Sequence, residues 1–153
     1  MAQLRSPYII LEEVKALAVE YYAATGKPLG VTGEIAEGEA ARLLGLELAD
    51  ARMPGFDAVR QGARGPEKIQ IKGRWKRAGK NWGRVSKINT DAEFDMVMLV
   101  LMDGPYEVFQ IWEACRADVI ARLDAPGSKA RNERRSMGVS QFKTIATLVW
   151  ARA

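Results

Sequence analysis

The sequence predicts an α/β fold, and three observations carry that reading. Residues 7–24 and 33–44 repeat apolar side chains at helical spacing. Residues 94–102 form a continuous apolar run, Phe-Asp-Met-Val-Met-Leu-Val-Leu-Met, of strand length. Between them, residues 56–60 and 68–73 read as two short strands joined by a glycine-rich loop. With 153 residues, 48% of them apolar, the chain can bury the core of one domain. We divide it into an N-terminal helical extension (1–29), a core (30–112) and a C-terminal part with helices and a basic loop (113–153).

In the first helix, Ile10, Leu11, Val14, Leu17, Ala18 and Tyr21 recur at spacings of three and four, and Gly26 and Pro28 end it. Thr32 is expected to cap the second helix and Gly45 to close it. The apolar stripe of that helix is Ala36, Ala40, Leu43 and Leu44; Glu37 lies roughly 70° from its centre at about 100° per residue. Glu37 is therefore the glutamate best placed to look toward the core edge, while Glu39 sits at the opposite margin. Residues 46–52 read as a strand or extended connection and 53–55 as a turn.

The strand at 68–73 alternates Ile69 and Ile71 with Gln70 and Lys72, so the two pairs face opposite ways. Residues 89–93 make a turn before the central strand at 94–102, and Asp103, Gly104 and Pro105 turn the chain into a neighbouring strand at 106–112. A helix follows at 114–124, broken by Pro126 and Gly127, then a basic loop at 128–135. Ser140 is expected to cap a last helix reaching residue 152, with Phe142, Ile145, Ala146, Val149 and Trp150 inward.

Composition narrows the chemistry. Histidine is absent and Cys115 is the lone cysteine. No Ser-His or Cys-His nucleophile, intrachain disulfide or usual zinc site can be assembled from such a set. Any bound metal would be held by oxygen, which suits Mg2+ or Mn2+. The N-terminus lacks signal-peptide order and no apolar run reaches transmembrane length, so a cytoplasmic location and no membrane association are expected.

Charge is segregated. Residues 1–67, 68–87, 88–128 and 129–153 carry net charges of −3, +8, −6 and +5. The acid-free block contains Lys68, Lys72, Arg74, Lys76, Arg77, Lys80, Arg84 and Lys87, interleaved with Trp75 and Trp82. Cations contact phosphates, and tryptophans stack on bases or anchor a loop, so this block is a nucleic-acid candidate. Lys129, Arg131, Arg134 and Arg135 form a second candidate block.

If the strands at 56–60 and 68–73 pair, Asp57, Gln70 and Lys72 can meet on one face, with Glu37 as a second carboxylate. Phosphodiester hydrolysis needs an activated water, a neutralised phosphate and a stabilised leaving oxygen. A divalent ion on Asp57 and Glu37, the Gln70 amide oxygen on that ion, and Lys72 as the adjacent cation fit those needs. The same residues also have structural readings: Asp57 as a turn or cap residue, Lys72 as a solvated strand-end lysine, Glu37 as a solvated helix glutamate.

Glu37, Gly55-Phe-Asp57 and Ile69-Gln-Ile-Lys72, in this order of elements, resemble the PD-(D/E)XK restriction-endonuclease-like superfamily. The resemblance covers about residues 30–112. It implies a restriction-endonuclease-like core with a central mixed β-sheet flanked by helices, and a magnesium site made by the helix glutamate, the strand aspartate and the (D/E)-x-K strand. Gln70 stands where an acid is usual, a variant similar to the Mrr-type branch, and Gly55-Phe-Asp57 holds no Pro-Asp pair.

The leading expectation is a Mg2+- or Mn2+-dependent DNA endonuclease, with RNA as the alternative polymer. The rivals are a non-catalytic nucleic-acid-binding or accessory protein on the same fold, and a protein-interaction module whose basic patches meet acidic partners. The first or last helix could supply a homodimer interface.

Overall fold

A computed structural model describes residues 3–50 and 55–153. The expected connection at 46–52 and turn at 53–55 fall partly on residues 51–54, outside the described residues. Among the described residues, six strands form one sheet in the order β1-β2-β3-β4-β5-β6. They are β1 (Glu47–Leu48), β2 (Ala58–Gly62), β3 (Gly65–Lys76), β4 (Met96–Asp103), β5 (Glu107–Cys115) and β6 (Thr147–Ala151). The helices are α1 (Pro7–Thr25), α2 (Thr32–Leu44), α3 (Arg116–Asp124), α4 (Lys129–Asn132) and α5 (Val139–Ile145). β3 and β4 are parallel and every other neighbouring pair is antiparallel, so the sheet is mixed and the fold is α/β. No helix among the described residues is long and apolar enough to cross a membrane.

β4 organises the core because both of its faces are buried. Met98, Val100 and Met102 join Ile69, Ile71, Ile35, Ala36 and Ala40 under α1 and α2. Val97, Leu99 and Leu101 join Val119, Leu123, Met137 and Phe142 under α3 and α5. A strand covered on both faces needs apolar residues at every position, which is what its continuous run supplies. Burying each such side chain contributes about 1.5–3 kcal/mol.

The helix termini follow local rules. Ser6 Oγ accepts from the Tyr8 amide at 3.3 Å, Pro7 opens α1, and Gly26 closes it in the left-handed region at φ 72°. Gly45 ends α2 in the same way at φ 67°. Thr32 is the first residue of α2 rather than its cap; Val31 holds that place without a side-chain hydrogen bond. α2 lies close against β3 because residue 73 is glycine: a Cβ there would stand 2.5 Å from the Ala36 Cβ and 3.2 Å from the Thr32 carbonyl oxygen.

Three expectations are corrected. The expected loop at 61–66 tightens to a hairpin in which Gly62 faces Gly65, and β3 runs on to Lys76, into the basic block. The loop at 128–135 contains α4, whose cap Ser128 accepts from the Arg131 amide. The expected last helix stops at Ile145, and residues 147–151 become the edge strand β6. The reason is geometric: Phe142 packs under the second face of the sheet, whereas Trp150 packs against the first. One helix cannot reach both faces, but a strand at the sheet edge can, and it also pairs the open side of β5.

Candidate active site

β2 and β3 pair only as far as Ala58 opposite Ile69. Beyond that point Asp57 itself continues the pairing. Its amide donates to the Ile69 carbonyl at 2.8 Å, and its carboxylate Oδ2 accepts from the Ile71 amide at 2.7 Å. One carboxylate oxygen is thus spent on the β3 edge, and this fixes where the other stands. The cap role and the site role of Asp57 coexist in one side chain.

Glu37 reaches the same place from α2, half-buried and hydrogen-bonded to the Asp57 carboxyl. Burial, then the Asp57 and Glu34 charges and the shared hydrogen bond, push its carboxyl up to about 7, against an opposing pull from Lys72. Lys72 comes from β3. Burial holds its ammonium below the usual lysine range although Asp57 and Glu37 favour the charged form. Its Nζ donates to the Lys87 carbonyl at 2.8 Å. Glu37 is thus a carboxyl held protonated to near neutral pH, packed against the Asp57 carboxyl and a half-buried ammonium.

Gln70 is 5% exposed, and both ends of its amide are engaged. Nε2 donates to the Gly55 carbonyl and Oε1 accepts from the Asn89 amide, each at 3.3 Å. It ties the entry to β2 and the turn after residue 88 to the middle of β3. Arg116 holds that turn from outside, donating to the carbonyls of Thr90 and Ala92 at 2.8 Å each. Gly73, Asn89, Arg116 and the Lys87 carbonyl therefore shape the site without a signal in the sequence, because each acts through a contact with a distant segment.

The donor set suits a hard cation, since it consists of carboxylate oxygens with a lysine alongside. Among the described residues, no group of three or more His, Cys, Asp and Glu side chains is placed to hold a metal ion. The site offers two carboxylates, Glu37 and Asp57.

The basic block divides into internal and outward cations. Lys72, Arg74 and Lys76 alternate along β3 and hold the returning chain: Arg74 Nε donates to the Trp82 carbonyl at 3.1 Å, and Lys76 Nζ lies 4.7 Å from the centre of the Trp82 ring. Trp82 stacks on Phe109 at 5.9 Å, and Trp75 stacks on Tyr106 at 4.7 Å. Arg84 donates to the Ser136 carbonyl, Arg131 is buried, and Arg135 pairs with Asp124 at 2.7 Å. Lys80, Lys87, Lys129 and Arg134 are exposed, and among the described residues no carboxylate pairs with them. Arg77 is also exposed, its guanidinium 5.1 Å from the Tyr22 ring.

The two basic blocks, distant in sequence, lie side by side. The amides of Val85 and Ile88 donate to the carbonyls of Met137 and Arg135, and Arg84 bridges Gly138. This places Lys87 and Arg84 beside Arg134 and Arg135, with the Lys87 carbonyl bonded to the Lys72 ammonium.

No family model and no curated protein matches this chain.

Proposed function

We propose that the protein is a divalent-metal-dependent endonuclease of the PD-(D/E)XK type acting on DNA, with its site at Glu37, Asp57 and Lys72. The observation that carries this reading is the convergence of two hydrogen-bonded carboxyls and a half-buried lysine on the edge of β3, where β2 parts from it. A carboxyl raised to about 7 is costly in a fold that has no use for it, and such groups concentrate at reactive sites. Exposed cations next to the site suit a polyanionic substrate.

Asp57 and Glu37 would hold Mg2+ or Mn2+. When bound, the ion supplies Lewis-acid polarisation of a phosphoryl oxygen and a lowered pKa for water. Glu37 would hold the ion as a carboxylate, since a positive charge beside it would offset the burial and the Asp57 charge that raise its pKa. The Lys72 ammonium stands beside the carboxylates to neutralise the phosphate or orient the attacking water. Gln70 positions the walls through Gly55 and Asn89 and brings no charge.

A binding-only reading draws on one observation: among the described residues, no third His, Cys, Asp or Glu joins Glu37 and Asp57 in a group placed to hold a metal ion. The two readings separate in a cleavage assay on plasmid and linear DNA with Mg2+ or Mn2+. Hydrolysis is expected, with Asp57→Ala and Lys72→Ala each losing about 10²–10³-fold in rate while retaining DNA in a gel-shift assay. Full cleavage by pure Asp57→Ala protein would overturn the site assignment. DNA retention without cleavage under either ion would establish the binding-only reading.

A further inference from the structure

Lys72 is anchored by the chain that returns from the end of β3, and the anchor is a single peptide unit. The carbonyl of the Lys87–Ile88 peptide accepts from the Lys72 ammonium at 2.8 Å, and its amide donates to the Arg135 carbonyl at 2.9 Å. With only the short bonds of one peptide between them, the Lys72 ammonium and the Arg135 carbonyl are at most about 8 Å apart. That is a little over two nucleotides of a strand at roughly 3.4 Å each. Two further amide-to-carbonyl bonds, Val85 to Met137 and Val139 to Gly83, each at 2.9 Å, hold the two segments along one another. Arg135 itself sits in the left-handed region at φ 55°, which a non-glycine residue keeps only where its surroundings hold it. Bonds from its guanidinium to Asp124 at 2.7 Å and to Thr90 Oγ1 at 3.4 Å supply that hold.

The charge on these two segments is not cancelled. Lys87, Lys129 and Arg134 are exposed, and among the described residues no carboxylate pairs with them. Lys129 and Arg134 lie together, the Arg134 amide donating to the Lys129 carbonyl at 3.3 Å. Arg131, between them in sequence, is 8% exposed; its Nη1 reaches the Arg122 carbonyl at 3.5 Å, and its Nε makes no hydrogen bond. A buried cation without a counter-ion adds to the positive potential of the surface above it. Arg135 takes up Asp124, which leaves Asp91 and Glu133 as the exposed acids alongside. The cations that follow β3 are placed differently. Arg77 and Lys80 come five and eight residues after Lys72. The Arg77 guanidinium lies 5.1 Å from the ring of Tyr22, on α1 at the first face of the sheet. Lys72, alternating with Ile71, points instead toward the face that Val85 and Ile88 cover.

We propose that a nucleic-acid strand engaged at the Glu37–Asp57–Lys72 site continues across Lys87 onto Lys129 and Arg134, which hold its phosphates, and not along Arg77 and Lys80. The inference rests on the nuclease reading for where the strand meets the site, but not for binding by these cations. A polyanion follows the positive charge that no carboxylate has neutralised, and that charge continues from Lys72 through space to a segment far away in sequence. Such contacts carry no base information; they fix where the backbone lies, and so which phosphate stands at Lys72.

The test removes the same charge from two places. Fluorescence anisotropy follows a labelled blunt DNA duplex in a chelator, where no metal-dependent cleavage occurs, across about 50–200 mM salt. Lys129→Ala combined with Arg134→Ala should weaken binding about tenfold at the lowest salt and reduce the slope of log affinity against log salt by about two. Arg77→Ala combined with Lys80→Ala, an equal loss of charge, should stay within about twofold of wild type with the slope unchanged. All four side chains are exposed, so both proteins should melt as the wild type does. Equal losses in the two double variants would show an effect of charge without place and overturn the proposal, as would wild-type protein that does not retain the duplex at the lowest salt. In cleavage with Mg2+ or Mn2+, the first double variant should raise KM about tenfold with kcat within about twofold; a fall in kcat at unchanged KM would also overturn it. Wild-type protein that shows the binding difference but cleaves with neither ion would support this surface and count against the nuclease reading.

Discussion

α2 presents two glutamates, two residues apart, to two very different lysines. Glu39 is 4% exposed and faces Lys15 at 3.1 Å and Arg42 at 2.8 Å. Burial pushes its carboxyl up, but the hydrogen bonds from Arg42 and Lys15 outweigh it and hold it below the usual range. Glu37 faces Asp57, a like charge, and a lysine whose ammonium is bonded to the Lys87 carbonyl. The first cluster is electrostatically complete, and its charges stay where they are over the working pH range. The second is left short of positive charge. The contrast separates a neutralised ion network from a carboxyl pair short of positive charge, on one helix and from the same residue types.

The contrast breaks most sharply in activity. Asp57→Asn, which keeps an oxygen for the Ile71 amide, should remove hydrolysis by about 10²–10³-fold with little change in melting temperature. Glu39→Ala should do the reverse, since it takes from Lys15 and Arg42 the buried carboxylate they share and leaves Lys15 only Glu12, at 2.7 Å. A loss of about 1–3 kcal/mol in urea denaturation is expected, with the cleavage rate per folded molecule unchanged. Equal stability losses for both variants would erase the distinction.

A comparable destabilisation should follow from Leu99→Ala on β4, about 2–5 kcal/mol, because Leu99 is fully buried under α3 and α5. This variant serves as the apolar reference: its effect should not depend on pH, whereas that of Glu39 should. The Glu39 pKa is depressed by folding, so its contribution is present above the unfolded value of about 4.5 and is lost as pH falls through the folded value.

Glu37 has the opposite sign. In the metal-free protein its carboxyl stays protonated to about pH 7, while the unfolded chain ionises near 4.5. The fold then holds one more proton than the unfolded chain, so stability declines as pH rises from 4.5 to 7 and levels off above. Glu37→Gln should abolish that slope, read from melting temperatures across the interval. An unchanged slope would place Glu37 outside the coupled pair.

What the sequence could show follows from the range of the interactions. β4 was legible because burial on both faces leaves a continuous apolar run, and α1 because its apolar spacing and its Gly26 stop are local. Glu37 was legible as the margin residue of α2, but the greater burial of Glu39 was not, since it depends on Lys15 arriving from α1. Phe142 to Trp150 keep a helical period, yet they divide between the two faces of the sheet, and no local pattern records that. Asp57 and Lys72 were legible as residues that a strand pair could bring together. Gln70 read as a metal ligand from its place in Gln-x-Lys; the structure commits its amide to Gly55 and Asn89, 15 and 19 residues away. Trp75, Trp82, Arg74 and Lys76 read as a nucleic-acid surface because a charge run does not reveal which cations turn inward to hold the chain.

The central claim is that Glu37 and Asp57 are left short of positive charge because they receive a divalent ion. A crystal soaked in manganese tests this directly through anomalous scattering. The account predicts a peak in contact with both carboxylates, adjacent to the Lys72 ammonium and absent in Asp57→Ala. A saturating soak with no peak at Glu37 and Asp57 would contradict it.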